Sequence, residues 1–234
     1  MWQGKMKAVT FSYDDAVTQD IRLIELFNKY GLKATFNLNS SHFGKPNTLL
    51  REGVEVSHNK IAAVDVARVY QGHEVASHTL THPFLPKIED DAEIIRQVEE
   101  DRLKLSELVG YEVVGFAYPG GGVNFNSHIA DLIREHTGAR YARTTVSTHN
   151  FDLQSNLYEF KPTVYHHAEM DTMFELAESF LSMKTDKPQL FYIWGHAYEF
   201  DIHNDWDRFE EFCKMISGHS DIFYGTNREV LLGE

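Results

Sequence analysis

A single cysteine in 234 residues excludes a disulfide within the chain. Cys213 lies at helical spacing from Phe209, Phe212 and Ile216 in FEEFCKMI, so it reads as a buried apolar thiol and not as a nucleophile. Basic residues are scarce, 22 against 35 acidic, and none are clustered. A net charge of -13 repels phosphate backbones and anionic lipid, which removes nucleic acid and membrane surfaces as partners. No apolar run approaches the ~20 residues that cross a bilayer. The opening MWQGKMKAVTF passes into a strand pattern without the apolar stretch of a secretory signal, and the expectation is therefore a cytoplasmic protein. The oligomeric state is left open.

What the chain does contain is an alternation of short β-branched or aromatic runs with longer amphipathic stretches, the pattern of βαβ units around a parallel sheet. Strands are expected at Lys7–Tyr13, Ala34–Leu38, Glu74–Ser77, Val113–Ala117, Tyr141–Val146, Gln189–Trp194 and Ile222–Tyr224. Helices are expected at Gln19–Tyr30, Ala92–Leu108, Met170–Met183 and Trp206–Ile216, with another capped by Asn126 or Ser127. About seven β/α units result, enough to close an irregular TIM-like (β/α)7 barrel as one α/β domain over residues 1–234. Ser40–Asn59 is polar, holds Pro46 and fits no unit; it reads as an excursion with a hairpin.

Chemistry in such barrels gathers where the strands end. TFSYDDA closes the first strand with Asp14 and Asp15; SHTLTHP follows the third with His78 and His82; FAYPGG follows the fourth with Tyr118 and Pro119; Arg143 closes the fifth; and FYIWGHAYEF brings Trp194 and His196 to the end of the sixth. Two imidazoles with three residues between them plus one carboxylate make a three-ligand divalent-metal site with positions left for water and substrate. Beside a cation, adjacent carboxylates no longer merely repel: one binds, and the other accepts protons in its field. Otherwise the pair would simply begin a turn and cap the helix near Thr18. An iron oxygenase uses the same donors, but the β/α alternation disfavours its all-β scaffold.

These motifs resemble those of the polysaccharide deacetylases of carbohydrate esterase family 4, over nearly the whole chain. The resemblance implies removal of N-acetyl groups from an N-acetylated sugar or oligosaccharide by a metal-bound water. It implies Asp14 as general base, Asp15, His78 and His82 as ligands, and His196 as general acid. It also implies a divalent metal, zinc foremost, with cobalt, nickel or iron(II) fitting the same donors. FAYPGG is expected to line the groove, making Tyr118, Pro119, Arg143 and Trp194 substrate-binding candidates, with the Tyr118 N–H as an oxyanion donor. Phe125, Tyr198 and Phe200 are further candidates for stacking on a sugar.

Two departures stand out. Ala117 occupies the position where the family carries an arginine paired with the base, and strand order points to Arg143 as its replacement. The aspartate–tryptophan motif that orients the acid histidine has only His149 and Asp152 of STHNFDL as counterparts. His166 and His167 are expected near the site without being ligands, and Glu199 and Asp201 as loop acids. The alternatives are a sugar-binding pseudoenzyme of the same fold and an amidohydrolase acting on a non-sugar amide.

Overall fold

A computed structural model describes residues 2–234. Its centre is β1 (Lys7–Asp14), whose eight residues KAVTFSYD are all buried, as a strand covered on both faces requires. Along one edge β1 pairs in parallel with β9 (Gln189–Gly195). Along the other it pairs with β2 (Ala34–Leu38) through Phe11–Asp14 and with β10 (Ile222–Tyr224) through Lys7–Val9. β10 thus enters where β1 and β2 separate. Beyond β2 the parallel order continues through β5 (Glu74–Ser77) and β6 (Gly115–Ala117) to β7 (Tyr141–Arg143); beyond β9 lies β8 (Val164–Tyr165). The result is a curled half-barrel of seven parallel strands with β10 as an eighth off its path. β7 and β8 are not paired among the described residues; on its open side β7 makes a parallel bridge from Arg143 to Phe160, in the segment before β8.

The covering helices are α1 (Asp20–Tyr30), the single turn α2 (Val66–Val69), α3 (Asp91–Val109), α4 (Ser127–His136), α5 (Met170–Ser182), α6 (Trp206–Ile216) and α7 (Asn227–Leu232). Their apolar faces pack onto the sheet: Phe27 of α1 and Phe209 and Phe212 of α6 surround Phe11 of β1. Asn126 caps α4, its side chain accepting from the Ile129 N–H at 2.9 Å. Gly31 and Gly110 end α1 and α3 in the left-handed conformation.

The expected strands all form. Val113–Ala117 shortens to three residues, and Tyr141–Val146 ends at Arg143 because the Thr144 N–H turns to the Phe160 carbonyl. Besides the single turn α2, two elements were not foreseen. β8 is too short to show alternation, and α7 follows Gly225 with a capping box of Thr226 and Glu229. The excursion contains an antiparallel hairpin, β3 (Thr48–Arg51) and β4 (Val54–Ser57), turning through Glu52 and Gly53. No helix among the described residues is long and apolar enough to cross a membrane.

Candidate metal centre and active site

Because the barrel strands run parallel, their C-terminal ends share one rim. Asp14 ends β1, His78 follows β5, Arg143 ends β7, His166 follows β8 and His196 follows β9. These ends face a cavity of about 930 Å³ whose wall includes Asp14, Asp15, His78, His82, Trp194 and His196.

Past β1 the chain enters left-handed backbone at Asp15 (φ 87) and Ala16 (φ 54), which turns the second carboxylate away from its strand neighbour. Such conformations are uncommon outside glycine and gather at functional sites. Thr79 (φ 70) and His82 (φ 56) repeat this in the HTLTH loop. Around them Asp101 of α3 accepts from the Ser40 N–H at 2.8 Å and the Ser77 hydroxyl at 2.7 Å. Asn39 donates to the carbonyls of His78 and Thr79. A buried acid and a buried amide thereby fix the loop that carries both histidines.

The ligand-type atoms of Asp15, His78 and His82 lie within 4.8 Å of one another. His78 Nδ1 is 2.8 Å from the Ala117 carbonyl, which can only accept, so Nδ1 carries the proton and Nε2 keeps its lone pair for the cavity. Burial pushes His78 down to about 4, with the Asp14 charge opposing, so the imidazole is neutral as ligation requires. Asp15 Oδ2 is 3.0 Å from His58 Nε2, while Oδ1 faces His82 Nε2 at 3.7 Å. Burial alone would raise the Asp15 carboxyl. The hydrogen bond with His58 and the charges of Lys60, His196 and His82 outweigh it and hold the group well below the usual carboxylate range. An ionised carboxylate and two imidazole lone pairs in this spacing fit a zinc-class divalent ion.

Asp14 is 2 % exposed and embedded in donors. The Nη2 of Arg143 lies 2.7 and 2.5 Å from its two oxygens, and the Asn37 amide donates to Oδ1 at 2.7 Å. Arg143 is itself fully buried, with its guanidinium 4.6 Å above the Trp194 ring. Arg143, expected from strand order, thus reaches Asp14 from β7. Asp14 Oδ2 lies 3.8 Å from His78 Nε2 and 4.0 Å from His196 Nε2, which puts it between the ligand group and the sixth-strand histidine.

His196 is oriented by a residue three positions on. Glu199 is 3 % exposed; its Oε1 lies 2.9 Å from His196 Nδ1 and its Oε2 accepts from the His196 N–H at 2.9 Å. The Tyr165 hydroxyl donates to the same carboxylate. Burial alone would lower His196 and raise Glu199. Their mutual charge and hydrogen bond reverse both, taking His196 up to about 9 and Glu199 down to about 2. Glu199 is thus a buried positioning acid and not a solvated loop acid; the signal in the sequence was the spacing HAYE, whose fourth residue can reach back over one turn. Asp201, by contrast, is exposed and accepts from Gln19 and Trp206. Neither counterpart from STHNFDL reaches His196: His149 pairs with Glu169, and Asp152 pairs with Gln189 at the opposite end of β9.

Of the remaining candidates, Trp194 lines the cavity together with Tyr198. Tyr118 and Pro119 are buried and do not. The Tyr118 ring packs on Phe116 and Phe125, its hydroxyl donates to the Tyr158 carbonyl, and its N–H donates to the Arg143 carbonyl at 3.0 Å, so it is not free for an oxyanion. Gly120 and Gly121 of the same motif form the wall instead. Phe200 stacks on His166 at 4.3 Å inside the core. His166 is fully buried, pushed down to about 3 by burial, and lies against Glu199 without reaching the ligand group.

Solved structures with this fold include a family 4 carbohydrate esterase from Streptomyces lividans in complex with acetate. It has 13% identity and a TM-score of 0.57, with 95% of this chain and 93% of that one covered. The Xyl-CE4 domain of a multidomain xylanase from the hindgut metagenome of Trinervitermes trinervoides aligns at 15% identity and a TM-score of 0.59, covering 97% and 90%. A peptidoglycan N-acetylglucosamine deacetylase aligns at 16% and 0.58, covering 97% and 88%. No curated protein matches the sequence. Residues 3–141, more than half of the chain, match the family model described as polysaccharide deacetylase, and the chain belongs to that family.

Proposed function

We propose that residues 1–234 act as one catalytic unit, a divalent-metal-dependent hydrolase that removes N-acetyl groups from an N-acetylated sugar or oligosaccharide. One observation carries this reading: buried Asp14, clamped by Arg143 and Asn37, stands within 4.0 Å of both His78 and His196. A base, an acid and a three-donor cation group thus share one wall of an open cavity, which is what amide hydrolysis requires. The solved relatives named above include carbohydrate esterases and a peptidoglycan deacetylase, which supports the substrate class.

In this reading Asp15, His78 and His82 hold the ion, zinc foremost, with cobalt, nickel or iron(II) as alternatives. The ion would supply Lewis acidity and lower the pKa of water. Asp14 accepts the proton of the attacking water; the Arg143 guanidinium, bonded to both of its oxygens, fixes its direction. His196, held protonated by Glu199, delivers a proton to the departing amine. Trp194 and Tyr198 line the cavity wall and shape it for the sugar, but the Trp194 ring is stacked on Tyr165 and covered by the Arg143 guanidinium, so it offers no open stacking face. Arg143 supports Asp14 from behind, buried under Trp194, and so serves as a positioning residue and not as a sugar contact. The Ala117 departure, which favoured a pseudoenzyme, loses its force because Arg143 fills the role.

The test is acetate release from a panel of N-acetylated mono- and oligosaccharides alongside non-sugar acetamides. It is run with chelated protein and with zinc, cobalt or nickel returned. Release from sugars only, restored by metal, supports the reading; binding of sugars without acetate release refutes it.

A further inference from the structure

A second group of donors meets on the barrel rim, drawn from three distant parts of the chain. Glu52 sits at the tip of the β3–β4 hairpin, His167 follows β8, and His203 lies in the loop before α6. Glu52 Oε1 is 2.9 Å from His167 Nε2, and its Oε2 is 2.9 Å from His203 Nε2. The two rings are parallel, 9° between planes with centroids 5.5 Å apart, so both nitrogens face the same carboxylate. All three ligand-type atoms fall within 4.8 Å of one another.

The turn gives an independent reason to single out Glu52. Arg51 pairs with Val54, leaving a two-residue connection in which Glu52 (φ 51) and Gly53 (φ 80) are both left-handed. Turns of that shape favour asparagine, aspartate or glycine at the first position, and glutamate there is conformationally unfavourable. What glutamate alone offers is reach, from the tip to the two histidines. The far end of the hairpin gains most from an attachment: the hairpin forms its own two-stranded sheet, held to the core through Val56 and Leu49, while residues 50–55 are exposed. An exposed carboxylate–histidine pair contributes little by itself. A metal ion bound by all three would contribute far more.

We propose that Glu52, His167 and His203 form a second divalent-metal site, separate from Asp15, His78 and His82, which takes zinc or a neighbouring transition ion and clasps the hairpin to the barrel rim. Two imidazoles and one carboxylate favour the zinc–copper class over magnesium or calcium. Leu49, Leu50 and Arg51 of the hairpin line the large cavity, so the clasp fixes one wall of its mouth. The site does not depend on the deacetylase reading, and its test uses no substrate.

The experiment is zinc titration by calorimetry of the full chain, its His203→Ala and Glu52→Ala variants and His78→Ala, with melting curves to establish folding. Each hairpin-site variant loses one equivalent relative to wild type, or binds it more than about 100-fold more weakly, while His78→Ala retains that equivalent. Zinc slows amide hydrogen exchange across residues 48–57 in wild type but not in His203→Ala. Stoichiometry and affinities in His203→Ala and Glu52→Ala equal to wild type would overturn the proposal, as would hairpin exchange that is indifferent to zinc. Should His78→Ala not fold, the comparison of wild type with the two hairpin-site variants decides alone.

Discussion

Replacing Glu199 by Gln keeps the size of the side chain and its capacity to accept from the His196 N–H, but removes the charge that holds His196 protonated. In the wild type His196 stands at about 9, although burial works against it, because Glu199 and more distantly Asp15 and Asp14 favour the cation. Without Glu199 the imidazole falls toward its ordinary 6.5. At pH 8 the protonated fraction then falls from about 0.9 to about 0.03, a loss of about 30-fold in the competent acid; at pH 6 the loss is less than about 2-fold. The prediction is therefore a shape and not merely a decrease: the basic limb of kcat/KM moves down by more than 2 pH units while activity near pH 6 survives.

The same pair appears in stability. Glu199 at about 2, below its usual 4.5, contributes above pH 4.5 and loses that contribution as pH falls toward 2. His196 at about 9, above 6.5, contributes below pH 6.5 and loses it as pH rises through 9. Both describe one interaction, counted once, of about 3 kcal/mol. Denaturant unfolding of wild type and Glu199→Gln should thus differ most between pH 4.5 and 6.5 and converge above pH 9. The assay is acetate release across pH 5–10 on metal-loaded protein, with unfolding measured in parallel. A Glu199→Gln enzyme with an unmoved basic limb would refute the assignment of His196 as an acid poised by Glu199.

Further outcomes follow from the same geometry. Asp14→Asn keeps the metal, measured by elemental analysis, but loses at least about 100-fold in kcat; His78→Ala loses metal and activity together. Arg143→Ala leaves Asp14 buried without its cation and should destabilise the fold by about 3–5 kcal/mol, read by denaturant midpoint, with activity lost; equal stability and turnover would show that Arg143 does not replace the guanidinium missing at Ala117. Gly195→Ala places a Cβ 2.0 Å from the ring of buried His166, and overpacking of about 1–3 kcal/mol should lower the melting temperature and displace His196 next door.

Most of the frame was legible because alternation between period 2 and period 3.6 is repeated along the chain. The three longest barrel strands carry runs of β-branched or aromatic residues, and Lys7–Tyr13, Ala34–Leu38 and Gln189–Trp194 were placed to within a residue. β8 escaped because two residues, Val164 and Tyr165, display no period. The convergence of Asp14, Asp15, His78, His82 and His196 was legible for a different reason: parallel strands deliver their last residues to one rim, so order along the chain becomes neighbourhood in space. Arg143 belongs to the same class. What strand order could not convey is which way a side chain turns after the strand ends. Tyr118 leaves β6 toward Phe125 and not toward the cavity, because its N–H is engaged by the Arg143 carbonyl and its hydroxyl by Tyr158.

Glu199 shows why the acid's partner was hidden. A surface loop acid and a buried positioning acid look alike in a sequence, since both are a glutamate a few residues past the end of a strand. The difference lies in what covers them. Here Tyr165 comes from β8 to donate to the carboxylate, His166 just after that strand closes behind it, and Gly195 gives the His166 ring room that any other residue would occupy. Two separate stretches of the chain, Tyr165–His166 and Gly195–Glu199, thus create the low-dielectric surroundings in which one carboxylate can hold an imidazole charged. His166 and His167, adjacent in sequence, take opposite parts in this arrangement: one is sealed in the core behind the acid's partner, and the other looks outward to Glu52 on the hairpin. The β8 turn therefore connects the chemistry of the cavity to the hairpin that borders it. Any displacement of residues 164–167 would act on His196 through Glu199 and on the cavity mouth through His167 together.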